Sequence, residues 1–318
     1  MIELFYYIAA AVPVTLSAIG AGIGQGLIGK KAIHALHEQP ASANNISKIC
    51  IIGVALTETT SILGAVISIM LLVDQTPMQD YYYATFGIIG IALAVGLSGF
   101  FVGIASSLPA QAACNSLARQ PFMSNKILNL MLITQTLIMT PNIFGFLIAL
   151  LIKAKLATTA TLEVAMQLFS SGLSIGLGCI GPAIGLSLFA YGACNAVGIN
   201  KKAYGKILTF TFISEAIIET PLIFALLVAL MIITMDMQAA SFLKAFSLLC
   251  AAICIGMCTL SPGVNSGRTG AATCNQIAFH LEQYPSLSKT TMLALAMIDT
   301  IAIYGLLTSM ILIFFAVT

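Results

Sequence analysis

Four positions in this 318-residue chain stand 80 or 81 residues apart and hold Glu58, Met139, Glu219 and Asp299. The next residue is threonine every time: Thr59, Thr140, Thr220 and Thr300. The acids are set in ALTETTSILGAV, AIIETPLIFALL and AMIDTIAIYGLL, so each carboxyl group falls well inside an apolar run. An ionised acid at bilayer depth costs at least about 2.5–3.5 kcal/mol, so it must be paired, neutral or bound to a cation. A group that alternates between such states can load and release an ion. One acid of this kind could be a hydrogen-bonded packing residue. Three at one repeat position, each before a threonine, point to ion carriage. Met139 cannot bind a proton or a cation as a carboxylate does, so three of the four positions carry ions on this reading.

Two other residues could share the chemistry. Gln25 with Glu58 and Thr59 supplies side-chain oxygens of the kind that suit a hard cation such as sodium. The residues matching Gln25 are Ser106, Leu186 and Ser266, and Leu186 offers no oxygen. A uniform sodium site is therefore absent, and a bare proton, needing fewer ligands, is the favoured ion over sodium. Glu215 lies four residues before Glu219, on the same helical face one turn away. It reads either as a second ion ligand or proton-sharing partner, or as a hydrogen-bonded structural group. Gln135 holds the matching place in the second copy.

The elements that carry these residues follow from composition and repetition. The chain is 59% apolar and 8% charged, with a mean hydropathy of +1.03, against about 25% charged for soluble domains. Its long apolar runs can each cross a hydrocarbon core of roughly 30 Å. A net charge of +2 offers no basic patch for nucleic acid. The eight cysteines form no CxxC pair and have no histidine spacing suggestive of zinc. The N-terminus lacks a basic n-region, which argues against a cleaved signal peptide.

Asn115, Asn195 and Asn275, each preceded by cysteine, repeat in the same register as the acids, and His34 fits as the fourth member. Each copy holds two apolar runs around a short polar loop. The expected helices cover 4–33 and 46–73, 81–116 and 126–153, 163–197 and 204–235, then 241–279 and 287–316. The reading is an all-α membrane protein of four tandem helical hairpins, with repeats at 1–78, 79–160, 161–240 and 241–318. The loops within hairpins and their flanks hold ten Lys and Arg residues, and the connectors hold three: Lys153, Lys155 and Lys244. The positive-inside bias then places the hairpin loops in the cytoplasm and both termini on the far side. Gly20, Gly22, Gly24 and Gly26 on the first helix suit tightly packed helix interfaces in a membrane. A phosphate-binding loop would need a preceding strand and a soluble site. Pro141 and Pro221 are expected to bend their helices.

The hairpin, the glycine-rich first helix, the loop Ala118-Arg119-Gln120-Pro121 and the mid-helix acid together resemble the c subunit of F-type ATP synthases. In copy one the loop is the variant His37-Glu38-Gln39-Pro40. The resemblance spans essentially the whole chain, and the missing acid in a fused proteolipid is similar to the V-type branch. It implies a homo-oligomeric rotor ring in a bacterial inner membrane, with first helices inside and acid-bearing helices outside. It further implies a stator a subunit whose arginine meets each carboxylate, and a central stalk on the polar loops. No resident cofactor is called for, since the proton or sodium is cargo. ATP chemistry would belong to a soluble catalytic head, and the direction, synthase or ATP-driven pump, stays open. A secondary transporter is a weaker reading because the copies are parallel and nearly uniform. A purely structural proteolipid leaves the three acids unexplained.

Overall fold

The computed structural model describes residues 2–73, 81–157, 159–237 and 241–314. Eight helical spans are long and apolar enough to cross a membrane. They are α1 (Phe5–Glu38), α2 (Pro40–Val73), α3 (Tyr81–Arg119), α4 (Pro121–Leu156), α5 (Leu162–Ile199), α6 (Lys201–Thr234), α7 (Phe242–Phe279) and α8 (Leu281–Phe314). Helices suit this setting because a helix pairs its own backbone groups where lipid offers no partner.

The spans run further than the sequence pattern suggests. The stretch at 34–45, expected to be loop, is helical to Glu38. Lysine and histidine do not break a helix once it leaves hydrocarbon, whereas the residue before a proline is pushed out of the helical region. Gln39 and Gln120 precede Pro40 and Pro121, and all four hairpins turn on one residue followed by a single tight turn, although Asn200 and His280 precede no proline. The turning residues share one extended backbone shape: Gln39 (φ −138°, ψ 73°), Gln120 (−130°, 70°), Asn200 (−136°, 105°) and His280 (−128°, 70°). The connectors use ordinary caps, with the Thr161 hydroxyl accepting from the Val164 N–H and the Ser241 hydroxyl from the Lys244 N–H.

Proline breaks some spans and not others. Helical hydrogen bonding is interrupted at Ser106, at Met139 and at Cys179, shortly before Pro109, Pro141 and Pro182. Proline lacks the N–H and its ring crowds the carbonyl four residues earlier. Helical hydrogen bonding is thus interrupted just before Pro141, whereas α6 runs unbroken through Pro221. A wider turn at Ala92–Leu97 further loosens α3.

The first helices of the four hairpins, α1, α3, α5 and α7, pack side by side in one row. The second helices, α2, α4, α6 and α8, form a parallel row outside it and touch one another far less. Close packing along one row and sparse packing along the other bends the assembly into an arc with the first helices on its tight side. The row is open, since α1 and α7 form no packed interface among the described residues. The apolar windows of α1 and α7 are only 39% and 44% buried, against 67% and 72% for α3 and α5.

Glycine sets the spacing of the tight row. A Cβ on Gly185 would sit 1.9 Å from the carbonyl oxygen of Gly263, and one on Gly24 would sit 2.2 Å from that of Gly103. Without side chains the helices approach to backbone contact, as small residues permit in membranes. Gly185→Ala should cost about 1–3 kcal/mol through overpacking, read as a lower unfolding midpoint in detergent. Gly205→Ala, where a Cβ meets nothing within 4 Å, should leave that midpoint almost unchanged.

Candidate functional site

The outer row brings the four repeat positions to one depth. Glu58, Met139, Glu219 and Asp299 each lie 18 residues beyond the start of their span, at Pro40, Pro121, Lys201 and Leu281. At 1.5 Å per residue this is about 27 Å from the hairpin turn, close to the middle of each helix. The hydroxyls of Thr59, Thr220 and Thr300 donate to the carbonyls of Leu56 (2.7 Å), Ala216 (3.3 Å) and Met297 (2.6 Å). Their oxygens keep lone pairs for a further guest.

The junction between hairpins one and two is neutral and polar. Thr57, fully buried, donates to the Gly53 carbonyl at 2.9 Å. Its hydroxyl oxygen accepts from the Ser106 hydroxyl at 3.0 Å and from Gln135 Nε2 at 3.3 Å. The same nitrogen donates to the Gly53 carbonyl at 2.9 Å, while Gln135 Oε1 is buried without a partner. One turn further, the Thr59 hydroxyl approaches Met139 Sδ at 3.5 Å. Residues of hairpin two thus face the preceding hairpin, and the methionine fills the acid position there with a thioether.

Hairpin three holds a different group at the Gln135 position. Glu215 is 1% exposed, and neither carboxyl oxygen has a hydrogen-bond partner. Cys194 and Cys274 lie within electrostatic range of it, as does Glu219 one turn along. Glu219 itself is half-buried. The buried pair of hairpin four completes the series. Asp299 is 7% exposed with Oδ1 unpartnered, and Ser266 is fully buried with an unpartnered hydroxyl. A buried carboxylate without partners is expensive.

Glu58 and Gln25 are placed differently from their repeat counterparts. Glu58 is exposed and Gln25 half-buried. Among the described residues no hydrogen bond joins Gln25 to Glu58 or Thr59. The expected trio is thus not assembled within one chain, although all three belong to hairpin one. The repeat singles out the acids and Gln135 but not Thr57, whose hydroxyl joins the two hairpins. The only signal for it in the sequence is a threonine directly before Glu58.

The family pattern described as the C subunit of ATP synthase matches four times, at residues 8–71, 89–152, 169–232 and 249–312. The chain belongs to that family. Each match covers one hairpin, so the family accounts for the repeat. The K subunit of the A-type ATP synthase of Methanocaldococcus jannaschii is 28% identical over 221 residues, 70% of this chain and 92% of that protein. The ATP synthase c subunit of Dehalococcoides mccartyi is 40% identical over 68 residues, 21% of this chain and 90% of its own length. The first of these resembles several hairpins at once and the second a single one. The chain is therefore a proteolipid of the c/K type in the rotary ATP synthase family, integral to a membrane, and membership implies a ring in the rotary complex.

Proposed function

We propose that the chain carries protons across a bacterial inner membrane on Glu58, Glu219 and Asp299 and couples their movement to rotation of the ring and synthesis of ATP. The observation that carries this reading is one carboxyl position repeated at one helical depth, with the Asp299 oxygen buried and unpartnered. A carboxyl neutralised by its ion tolerates lipid, whereas a charged one is held to the aqueous half-channels and arginine of the stator a subunit. Loading from one side and unloading to the other biases rotation. Each elementary charge crossing 100 mV delivers about 2.3 kcal/mol.

The hairpin turns face the cytoplasm and the central stalk, with the termini opposite, because basic residues concentrate at the turns. Sodium is the alternative cargo, held at Glu58 with Gln25 and Thr59. Glu215 serves as an accessory group beside Glu219, where its buried carboxyl shares a proton. A second reading, the proteolipid of an ATP-driven V-type proton or sodium pump, is favoured by one observation. Met139 leaves one hairpin in four without a carrier. Fewer ions per turn let a given quantity of ATP build a steeper gradient.

Carbodiimide labelling tests the reading. A carboxyl-reactive carbodiimide should modify Glu58, Glu219 or Asp299 and stop ion-coupled ATP turnover in the assembled complex. Sodium at neutral pH that slows the labelling identifies sodium as the cargo, and protection by low pH alone identifies protons. Full turnover with all three residues modified would overturn carriage by these acids.

A further inference from the structure

Glu215 is an acid that the repeat does not require. The same place holds Val54, Gln135 and Leu295 in the other hairpins. Gln135 shows how a polar side chain can be satisfied there. Its Nε2 donates to the Gly53 carbonyl and the Thr57 hydroxyl, and Thr57 accepts in turn from Ser106. One hairpin along, the residues in register with Gly53, Thr57 and Ser106 are Thr134, Ile138 and Leu186. Ile138 and Leu186 are fully buried and offer no polar side-chain atom. The Thr134 hydroxyl donates to the Leu130 and Met131 carbonyls. Glu215 is left at 1% exposure with no partner for either oxygen.

The charge that acts on Glu215 is Glu219, four residues on, about 6 Å along the axis and on the same face. Cys194 of α5 and Cys274 of α7 also lie within electrostatic range. The remaining charges on the helices packed around α6 stand elsewhere. Lys126, Lys153 and Lys155 lie near the ends of α4, and Glu163 and Lys244 open α5 and α7. Arg268 is exposed on α7, and α8 carries Lys289 and Asp299.

We infer that Glu215 keeps its proton throughout the cycle and acts as a positioning residue, its O–H donating to the Glu219 carboxylate whenever Glu219 is ionised. A bare carboxylate in this place is expensive. A hard cation needs a shell of oxygens, which Ile138 and Leu186 do not supply. A proton needs no further ligand. The neutral acid then holds one O–H donor that finds no acceptor while Glu219 is neutral too. Loss of the Glu219 proton creates a charged acceptor one turn away, and hydrogen bonds to charged groups are about twice as strong as neutral ones. The proton that leaves comes from Glu219 and the one on Glu215 stays, so the chain still carries three ions. The inference rests on the carrier reading of Glu219.

The donor stands beside the hairpin that lacks an acid. Met139 doubles the interval between the carboxyls of Glu58 and Glu219 along the row. An ionised Glu219 must therefore stay charged for longer before another carboxyl can replace it at the stator. A donor inside hairpin three lowers the cost of that interval. Val54 gives Glu58 no such donor on the other side of the gap.

A fluorescent carbodiimide reacts with the protonated form of a carboxyl, so the pH at which Glu219 labelling is half lost reports its protonation. Complexes carrying Glu58→Gln and Asp299→Asn serve as the parent, and fragmentation in the mass spectrometer separates label on Glu219 from label on Glu215. Glu215→Leu installs the residue type that hairpin four carries at this place, so it suits the fold while removing the donor. It should move the labelling midpoint up by about one pH unit, a tenfold gain in proton affinity, as expected for loss of one hydrogen bond to a charged group. Glu215→Gln keeps an N–H donor in nearly the same volume and should leave the midpoint close to that of the parent. The sign carries the test. An ionised Glu215 would repel Glu219, and its removal would move the midpoint down. A downward shift in Glu215→Leu, no shift, or an equal shift in Glu215→Gln overturns the inference. A parent in which Glu219 takes no label at any pH overturns carriage by Glu219 itself.

Discussion

Changing Glu58, Glu219 and Asp299 together to their amides should reduce ion-driven ATP turnover of the assembled complex to background while leaving the ring intact. The amide keeps the size and hydrogen-bonding capacity of the side chain and removes its ability to release a proton or hold a cation. The single variants should differ in severity, and the order follows from Met139. Hairpin two is already blank, so Glu58→Gln or Glu219→Gln leaves two adjacent hairpins without a carrier. Asp299→Asn leaves its blanks separated by working hairpins on either side. Turnover should therefore fall further in Glu58→Gln and Glu219→Gln than in Asp299→Asn, because the next carboxyl must travel further to reach the stator. The comparison is made on reconstituted complexes under one imposed ion gradient. Equal losses in all three single variants would remove spacing as the cause.

Repetition along a chain can be read without coordinates, and the acids, their threonines and the hairpin pattern are all legible in this way. Direction around a helix is less so. That Gln135 turns towards hairpin one and bonds Gly53 and Thr57 depends on the angle between two helices 80 residues apart in sequence. The same applies to Glu58: its type and depth follow from the pattern, but its exposure follows from its place at the end of an open row. Helix ends escape the pattern for another physical reason. Polar residues near 34–38 look like loop by hydropathy, yet only the Gln39–Pro40 pair turns the chain. Glu215 shows the limit in the other direction. Its spacing from Glu219 is plain in the sequence, but complete burial without a partner for either oxygen is visible only in the packed structure.

Restoring the missing carrier should have the opposite consequence to removing the others. Met139→Glu places a carboxyl at the depth shared by Glu58, Glu219 and Asp299, in a position where Met139 is 8% exposed. The Thr59 hydroxyl, 3.5 Å from the sulfur, lies where it can meet the new group. Gln135, one turn away, has a free Oε1 that can accept the proton of a neutral acid. The new carboxyl thus enters a junction already lined by hydroxyl and amide groups, which lowers the cost of burying it relative to an apolar pocket. Four carriers in place of three raise the ions moved per turn by a third, and the ion-to-ATP ratio with them. At a fixed membrane potential the extra charge adds about 2.3 kcal/mol for each 100 mV it crosses, so synthesis should persist at a lower potential than in the wild type. The measurement is the threshold potential for ATP synthesis in liposomes holding the complex, set beside the ratio of ions moved to ATP turned over. An unchanged threshold and ratio in a correctly assembled variant would mean that hairpin two never exposes this position to the ion pathway. The blank would then arise from the shape of the junction, including the break in α4 at Met139, as well as from the missing acid.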